Sequence, residues 1–160
     1  MDFKTILVPL DGSPLAESAL TRAAALAKDG AQVILVRAAE AHTLPMSDAA
    51  EAQVMVVREA EEYLGGVKAR LEKAGVARVE TSVWYGPPAD AIVEAARFRR
   101  ADLIVMSSHG RSGLGRLVLG SVAESVLRAT KTAILLVREE SAPVQALGGT
   151  ARPAREAARV

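Results

Sequence analysis

A stretch rich in glycine and serine between positions 107 and 121 is the part of the chain best suited to holding an anion. It contains four glycines and four serines, which are Gly110, Gly113, Gly115, Gly120, Ser107, Ser108, Ser112 and Ser121. Glycine lets a loop bring its backbone N–H groups close to a ligand, and a helix that begins after such a loop adds the positive end of its dipole. The chemistry predicted for this stretch is phosphate binding through main-chain donors.

Three residues of this stretch are the main candidates for phosphate contacts. Gly110 and Gly120 would donate through their amides, and Ser121 would also donate through its hydroxyl. Two alternatives stay open for Ser121, because its hydroxyl could instead face a bound magnesium ion or only cap the helix that follows.

The charged and titratable residues of the stretch are more ambiguous. Arg111 and Arg116 could supply positive charge to a triphosphate, although arginines at such positions are more often solvated. His109 has no nucleophile or carboxylate placed beside it by the sequence, so a structural or hydrogen-bonding histidine is favoured over a catalytic one. No catalytic residue is predicted. With no cysteine and two distant histidines, no metal site built by the protein is predicted either.

Asp11 is the second place where a side chain could do chemistry. It follows an apolar run near the start of the chain. A carboxylate at the end of a strand can accept two hydrogen bonds from a ribose diol, as acidic residues do in other nucleotide-binding folds. The alternative is an aspartate that only stabilises the turn Asp11-Gly12-Ser13, which is a common use of these residue types.

Strands and helices alternate along the chain in a way that positions these candidates. Five short apolar runs predict strands at 5–8, 32–38, 79–84, 103–106 and 133–137. The third run alternates with polar residues, as an edge strand does, and the other four are apolar on both faces, as covered parallel strands are. The helices are predicted after Ser13-Pro14 with a stop at Gly30, over 48–74 with a weak point at Gly65-Gly66, after Pro87-Pro88, and after Gly120-Ser121.

This alternation predicts an α/β fold. It is a single doubly wound five-stranded parallel sheet, with strand order 3-2-1-4-5 and helices on both faces. Ligands of such sheets bind at the carboxyl ends of the strands, where the strand order reverses. The loop that carries Asp11 and the stretch that begins at Ser107 meet there, and this convergence favours the ribose interpretation of Asp11.

The composition limits the classes of function. The chain has 160 residues, half of them hydrophobic, and a net charge of +1 that gives no reason to expect nucleic acid as a partner. It has no cysteine, no apolar segment long enough for a membrane and no secretory signal, so a cytoplasmic location is expected. We expect one domain over residues 1–140 and a flexible tail over 141–160, which is rich in Ala, Gly, Pro and Arg.

The segment 106–126, with Gly110 and Gly120-Ser121 at its core, resembles the signature of the universal stress protein (UspA-type) family. The run 6–13 resembles that family's opening, and the runs 101–106 and 132–137 resemble its fourth and last strands. The resemblance covers residues 2–138 and implies an ATP-binding or other adenine-nucleotide-binding regulatory domain of the stress response, which acts as a homodimer through the last strand, 133–137.

In the ATP-binding branch of the family the pattern is Gly-x2-Gly-x9-Gly-Ser/Thr. By resemblance, Gly110, Gly120 and Ser121 hold phosphates and Asp11 holds the ribose. The full candidate set for nucleotide binding is Pro9, Leu10, Asp11, Ala38, Met106, Ser107, His109, Gly110, Arg111, Gly120, Ser121 and Val122. In this set Pro9 and Leu10 line the start of the pocket, and Ala38 matches the position whose backbone meets adenine.

The chain departs from this pattern at two positions. Ser107 stands where the first glycine is expected, and Ala38 is smaller than the usual valine. A serine would be strained by about 1–2 kcal/mol if its backbone needed a positive φ, and otherwise its hydroxyl could bond the ribose. Two alternatives therefore stay open, a dimeric interaction protein of the same fold that binds no nucleotide and a slow ATPase.

Overall fold

The structure, a computed structural model, describes residues 3–40, 49–108 and 119–138. The strands are β1 (Thr5–Pro9), β2 (Gln32–Ala39), β3 (Val79–Tyr85), β4 (Leu103–Ser107) and β5 (Ala133–Val137). The helices are α1 (Pro14–Leu26), α2 (Ala49–Lys73), α3 (Pro88–Phe98) and α4 (Ser121–Ala129). All nine predicted elements are present, with ends that differ from the predicted ones by a few residues. The predicted tail, 141–160, lies outside the described residues.

The five strands form one parallel sheet in the predicted order β3-β2-β1-β4-β5. β1 lies at the centre, where Ile6 pairs with Val33 of β2 on one side and with Leu103 of β4 on the other. From β1 the chain moves outward through β2 to β3, and it then returns to the other side of β1 as β4. The carboxyl ends of β1 and β4 therefore border the point where the strand order reverses, and a crevice opens there in sheets of this type.

Helices cover the central strands on both faces, as predicted. Alternate residues of β1 point to opposite faces, so Ile6 and Val8 belong to the core formed with α1 and α2, while Leu7 belongs to the core formed with α3 and α4. All three side chains are fully buried. Burial on both faces explains why the central strands are continuous apolar runs rather than alternating ones.

The start of α1 follows the predicted capping pattern. The hydroxyl of Ser13 accepts a hydrogen bond from the amide of Ala16 at 3.1 Å, and Pro14 occupies the first helical position. The helix ends at Leu26, earlier than the predicted stop at Gly30. Gly30 has a φ of +91° and lies beyond a short turn that leads into β2.

The helix α2 continues through Gly65-Gly66 without a break, although the sequence predicts a weak point there. Both glycines are exposed, and a Cβ added to either would meet no atom within 4 Å. The helix is held by buried side chains on its other face, which are Ala60, Leu64, Val67 and Leu71. Neither α2 nor any other helix in the described ranges is long and apolar enough to cross a membrane.

The expectation that β5 is covered on both faces is wrong. Its side chains alternate between exposed and half-buried, and Leu135 is 37% exposed. The reason is its place in the sheet, since β5 pairs only with β4 and forms one edge. β3 forms the other edge, as its alternating pattern predicts.

Candidate functional site

A cavity of about 500 Å³ lies at the carboxyl ends of the central strands, at the predicted position. Its walls come from β1, β2 and β4, from the first turns of α3 and α4, and from one face of α2. Cavities of this size hold ligands the size of a nucleotide or a drug molecule.

The structure brings together every candidate residue that it describes. The nine candidates that line the cavity are Pro9, Leu10, Asp11, Ala38, Met106, Ser107, Gly120, Ser121 and Val122. The other three, His109, Gly110 and Arg111, lie outside the described residues, as does Arg116. The two segments that the sequence predicts to converge, one after β1 and one around β4 and α4, therefore face one cavity.

Asp11 takes part in the turn that its local sequence suggests. Its Oδ1 atom accepts a hydrogen bond from the amide of Ser13 at 2.9 Å and another from the hydroxyl of Ser13 at 2.6 Å. Gly12 lies between them with a φ of +84°, a conformation that favours glycine. The half-buried carboxylate is thus held in one orientation at the cavity wall, and the turn role and a ligand-binding role are compatible.

The N-terminus of α4 opens onto the cavity without a side-chain cap. Gly120 is the N-cap residue and has no side chain to accept from the first turn, and the helix begins at Ser121. The alternative in which Ser121 caps α4 is therefore wrong, because Ser121 is the first helical residue. The first amides of a helix have no partner within the helix, so those of Ser121, Val122 and Ala123 are suited to binding an anion.

The amide of Gly120 is not available for the predicted phosphate contact. It donates a hydrogen bond to the carbonyl oxygen of Ser108 at 2.8 Å. The amide of Ser108 in turn donates to the carbonyl of Val137 at 2.9 Å, which extends the pairing of β4 and β5 by one residue. Among the described residues, the amides suited to a ligand here are thus those of the first turn of α4, beginning with the predicted candidate Ser121.

Ser107 carries none of the backbone strain that the sequence raised as a risk. Among the described residues other than glycine, only Arg100 has a positive φ. Ser107 is the last residue of β4, pairs in register with Val137 and is 8% exposed. Its backbone is therefore ordinary strand, and a glycine is not needed at this position for conformational reasons.

Much of the cavity lining is apolar. Apolar side chains from β2, α2 and α3 line the cavity, and they are Val36, Ala38, Ala39, Val56, Pro88 and Ile92. A flat apolar group such as a purine base fits walls of this kind better than a charged group does. The cavity therefore combines apolar walls with the backbone donors at the start of α4.

Sequence reasoning missed three charged residues of the cavity wall, Arg37, Glu40 and Glu59. The Nη2 atom of Arg37 lies 3.1 Å from Oε1 of Glu59, with 15% of the arginine side chain and 72% of the glutamate side chain exposed. A signal for Arg37 is visible in the sequence, since it is a charged residue directly after the buried apolar run of β2. Glu59 carries no comparable signal, because exposed glutamates are common on helices.

Arg37 belongs to a larger set of contacts between α1, β2 and α2. Its guanidinium carbon lies 5.0 Å from the centre of the Tyr63 ring. The Tyr63 hydroxyl donates to Glu17 at 2.9 Å, and Arg70 pairs with the same glutamate at 2.8 Å. Burial, together with the hydrogen bond to Glu17, raises the pKa of the Tyr63 phenol above its ordinary value.

The sequence and the fold are both shared with proteins of one family. The model of the universal stress protein family matches residues 2–138 of the chain. A universal stress protein of Methanocaldococcus jannaschii is 35% identical over 142 residues, which are 86% of this chain and 83% of that protein.

Solved structures agree with this assignment. The protein MJ0577 has a TM-score of 0.78 and 29% identity, over 89% of this chain and 100% of its own. A universal stress protein in complex with cAMP has a TM-score of 0.68 and 30% identity, over 86% of this chain and 98% of its own. With a family match over residues 2–138 and a shared topology, the chain belongs to the universal stress protein family.

Proposed function

We propose that the protein binds an adenine nucleotide, ATP in the first place, in the cavity at the carboxyl ends of β1, β2 and β4, and that it acts as a regulatory protein of the stress response. The observation that supports the proposal most directly is that two groups suited to a nucleotide line the same cavity. These are the fixed carboxylate of Asp11 and the uncapped N-terminus of α4.

The polarity of the cavity suggests how the nucleotide would lie. The base would contact apolar walls of the cavity, with the backbone of Ala38 at its edge. The ribose hydroxyls would bond Asp11 and Ser107. The phosphates would face the first turn of α4, where Ser121 adds an exposed hydroxyl.

Two observations favour nucleotide binding over an interaction protein that binds none. Ser107 is ordinary strand, so it does not carry the strain that would argue against a nucleotide site. In addition, a structure of the same family, 30% identical to this chain, holds the nucleotide cAMP. A regulatory role is proposed rather than fast catalysis, because the described lining contains no lysine or histidine that could act on a phosphoryl group.

Equilibrium binding of labelled ATP to protein stripped of nucleotide tests the proposal. We expect saturable binding that Asp11→Asn weakens about ten- to a hundredfold, since the charge-assisted bonds to the ribose are lost. Asp29→Asn is the matched control, because Asp29 is exposed in a turn away from the cavity. The absence of saturation at millimolar ATP would overturn the proposal. If magnesium strengthens ATP binding to the unchanged protein but not to Ser121→Ala, the Ser121 hydroxyl faces a metal ion.

The proposal includes a homodimer formed through β5 and a cytoplasmic location, both expected from the sequence. The support for the dimer is the apolar edge of the sheet. Ala133 and Leu135 are exposed on β5, and an exposed apolar edge strand is a site where another chain can pair.

A further inference from the structure

Arg37 joins three parts of the cavity wall that are distant in the sequence. It projects from β2 and contacts Glu59 and Tyr63, which lie one turn apart on α2. It also lies against Gly12, in the loop that carries Asp11. A Cβ placed on Gly12 would be 3.6 Å from Nη1 of Arg37 and 3.8 Å from both Cζ and Nη2.

These three nearly equal distances show how the guanidinium lies. When the central carbon and two nitrogens are equally far from one point, the planar group presents its face to that point rather than its edge. The face of Arg37 therefore covers Gly12, the residue whose positive φ turns the chain after Asp11. Asp11 is held from the other direction by its two hydrogen bonds with Ser13.

The planar shape of the Arg37 guanidinium contributes more to these contacts than its charge does. Glu59 is 72% exposed, so the ion pair is screened by solvent and contributes little by itself. The contact with Gly12 uses the flat face, which a lysine cannot reproduce. Arg37 is itself only 15% exposed, so its position is fixed by its surroundings.

We propose that Arg37 is a positioning residue for ribose recognition, which holds the turn at Gly12 so that the Asp11 carboxylate faces the ribose diol of the bound nucleotide. This inference rests on the proposed function. It makes a specific prediction. Substitution of Arg37 should weaken the binding of a nucleotide that has ribose hydroxyls and should not affect the binding of one that lacks them.

The test compares ATP with 2′,3′-dideoxy-ATP on the full chain. For Arg37→Met we expect ATP binding to weaken about tenfold, as one charge-assisted hydrogen bond to the ribose is misplaced. Binding of dideoxy-ATP should change by less than about twofold, because Asp11 has no hydroxyl to meet in that ligand. Asp11→Asn should show the same selectivity, and Arg37→Met should add little in the Asp11→Asn background, as expected for residues that act together.

Two further variants keep the test decisive. Arg37→Lys keeps the positive charge but loses the flat face, and it should show the same selective loss even if Arg37→Met folds poorly. Arg97→Met removes an arginine that is 82% exposed and paired with Glu94, and it should bind both nucleotides as the unchanged protein does. Equal losses of affinity for ATP and dideoxy-ATP, or no loss for either, would overturn this inference but not the proposed function. If the unchanged protein binds neither nucleotide, the proposed function fails and this inference fails with it.

Discussion

Tyr63 is the residue whose ionisation the structure perturbs most clearly among the described groups, and it yields a prediction about pH. Its pKa is raised, so the folded protein holds the phenolic proton more tightly than the unfolded chain does. This contribution to stability is fully present below the unfolded pKa of about 10 and is lost as the pH rises above it. We therefore expect the free energy of unfolding to fall above about pH 10 by more in the unchanged protein than in Tyr63→Phe.

Urea denaturation at a series of alkaline pH values measures this difference. The phenylalanine variant is the matched control, because it keeps the ring beneath Arg37 and removes only the hydroxyl that donates to Glu17. Tyr85 is exposed and present in both proteins, so it does not distinguish them. Parallel curves for the two proteins through this range would contradict the assigned shift.

At the scale of single residues, the sequence predicted the positions of the candidate residues better than the hydrogen bonds and contacts that they make. Asp11, Ser107 and Ser121 line the cavity because the ends of parallel strands meet at one edge of a sheet, and this can be foreseen from the order of elements. The partner of the Gly120 amide could not be foreseen, because Ser108, whose carbonyl accepts the hydrogen bond, is distant from Gly120 in the sequence. The role of Arg37 depends on side-chain contacts across three elements, which no local pattern encodes.

At the scale of elements, the two glycines inside α2 offer a stability test. Gly65→Ala should raise the free energy of unfolding by about 0.5–1 kcal/mol, because alanine restricts the unfolded chain and favours the helix. The new methyl group would meet no atom within 4 Å. Thermal or urea unfolding measures the change.

Gly12→Ala is the matching substitution for which we expect the opposite change in stability. Its Cβ would also have room, since the nearest atom lies 3.6 Å away, but its φ of +84° is unfavourable for alanine. We expect a loss of about 1–2 kcal/mol. If both substitutions changed the stability in the same direction, the account of these glycines would be wrong.

Most elements could be predicted because their burial or their capping gives the sequence a simple pattern. β1, β2 and β4 are buried on both faces and read as unbroken apolar runs, and α1 begins at a recognisable Ser-Pro signal. β5 has the same composition but lies at an edge, and its exposure follows only from the strand order. The continuity of α2 through Gly65-Gly66 depends on tertiary contacts of its buried face, which outweigh local propensity.

For the whole molecule, the exposed edge at β5 predicts how subunits associate. Leu135→Arg should convert a dimer into a monomer in sedimentation equilibrium at micromolar concentration, since a charge would enter an apolar contact. Met55→Arg is the control, because Met55 is a large apolar residue that is 66% exposed on α2, away from this edge. Leu135→Arg should still bind ATP if the cavity within one subunit is sufficient. A protein that is monomeric before any substitution would remove the dimer from the proposal.

The hydrogen bond between the Gly120 amide and the Ser108 carbonyl has a consequence for how this protein could diversify. It holds the residue after β4 next to the N-cap residue of α4, so the two ends of the intervening stretch lie close together. The entropic cost of lengthening a closed segment grows only slowly. Insertions or exchanges between these two residues would therefore leave the sheet and its helices unchanged, which would let the proposed nucleotide preference vary without a change of fold.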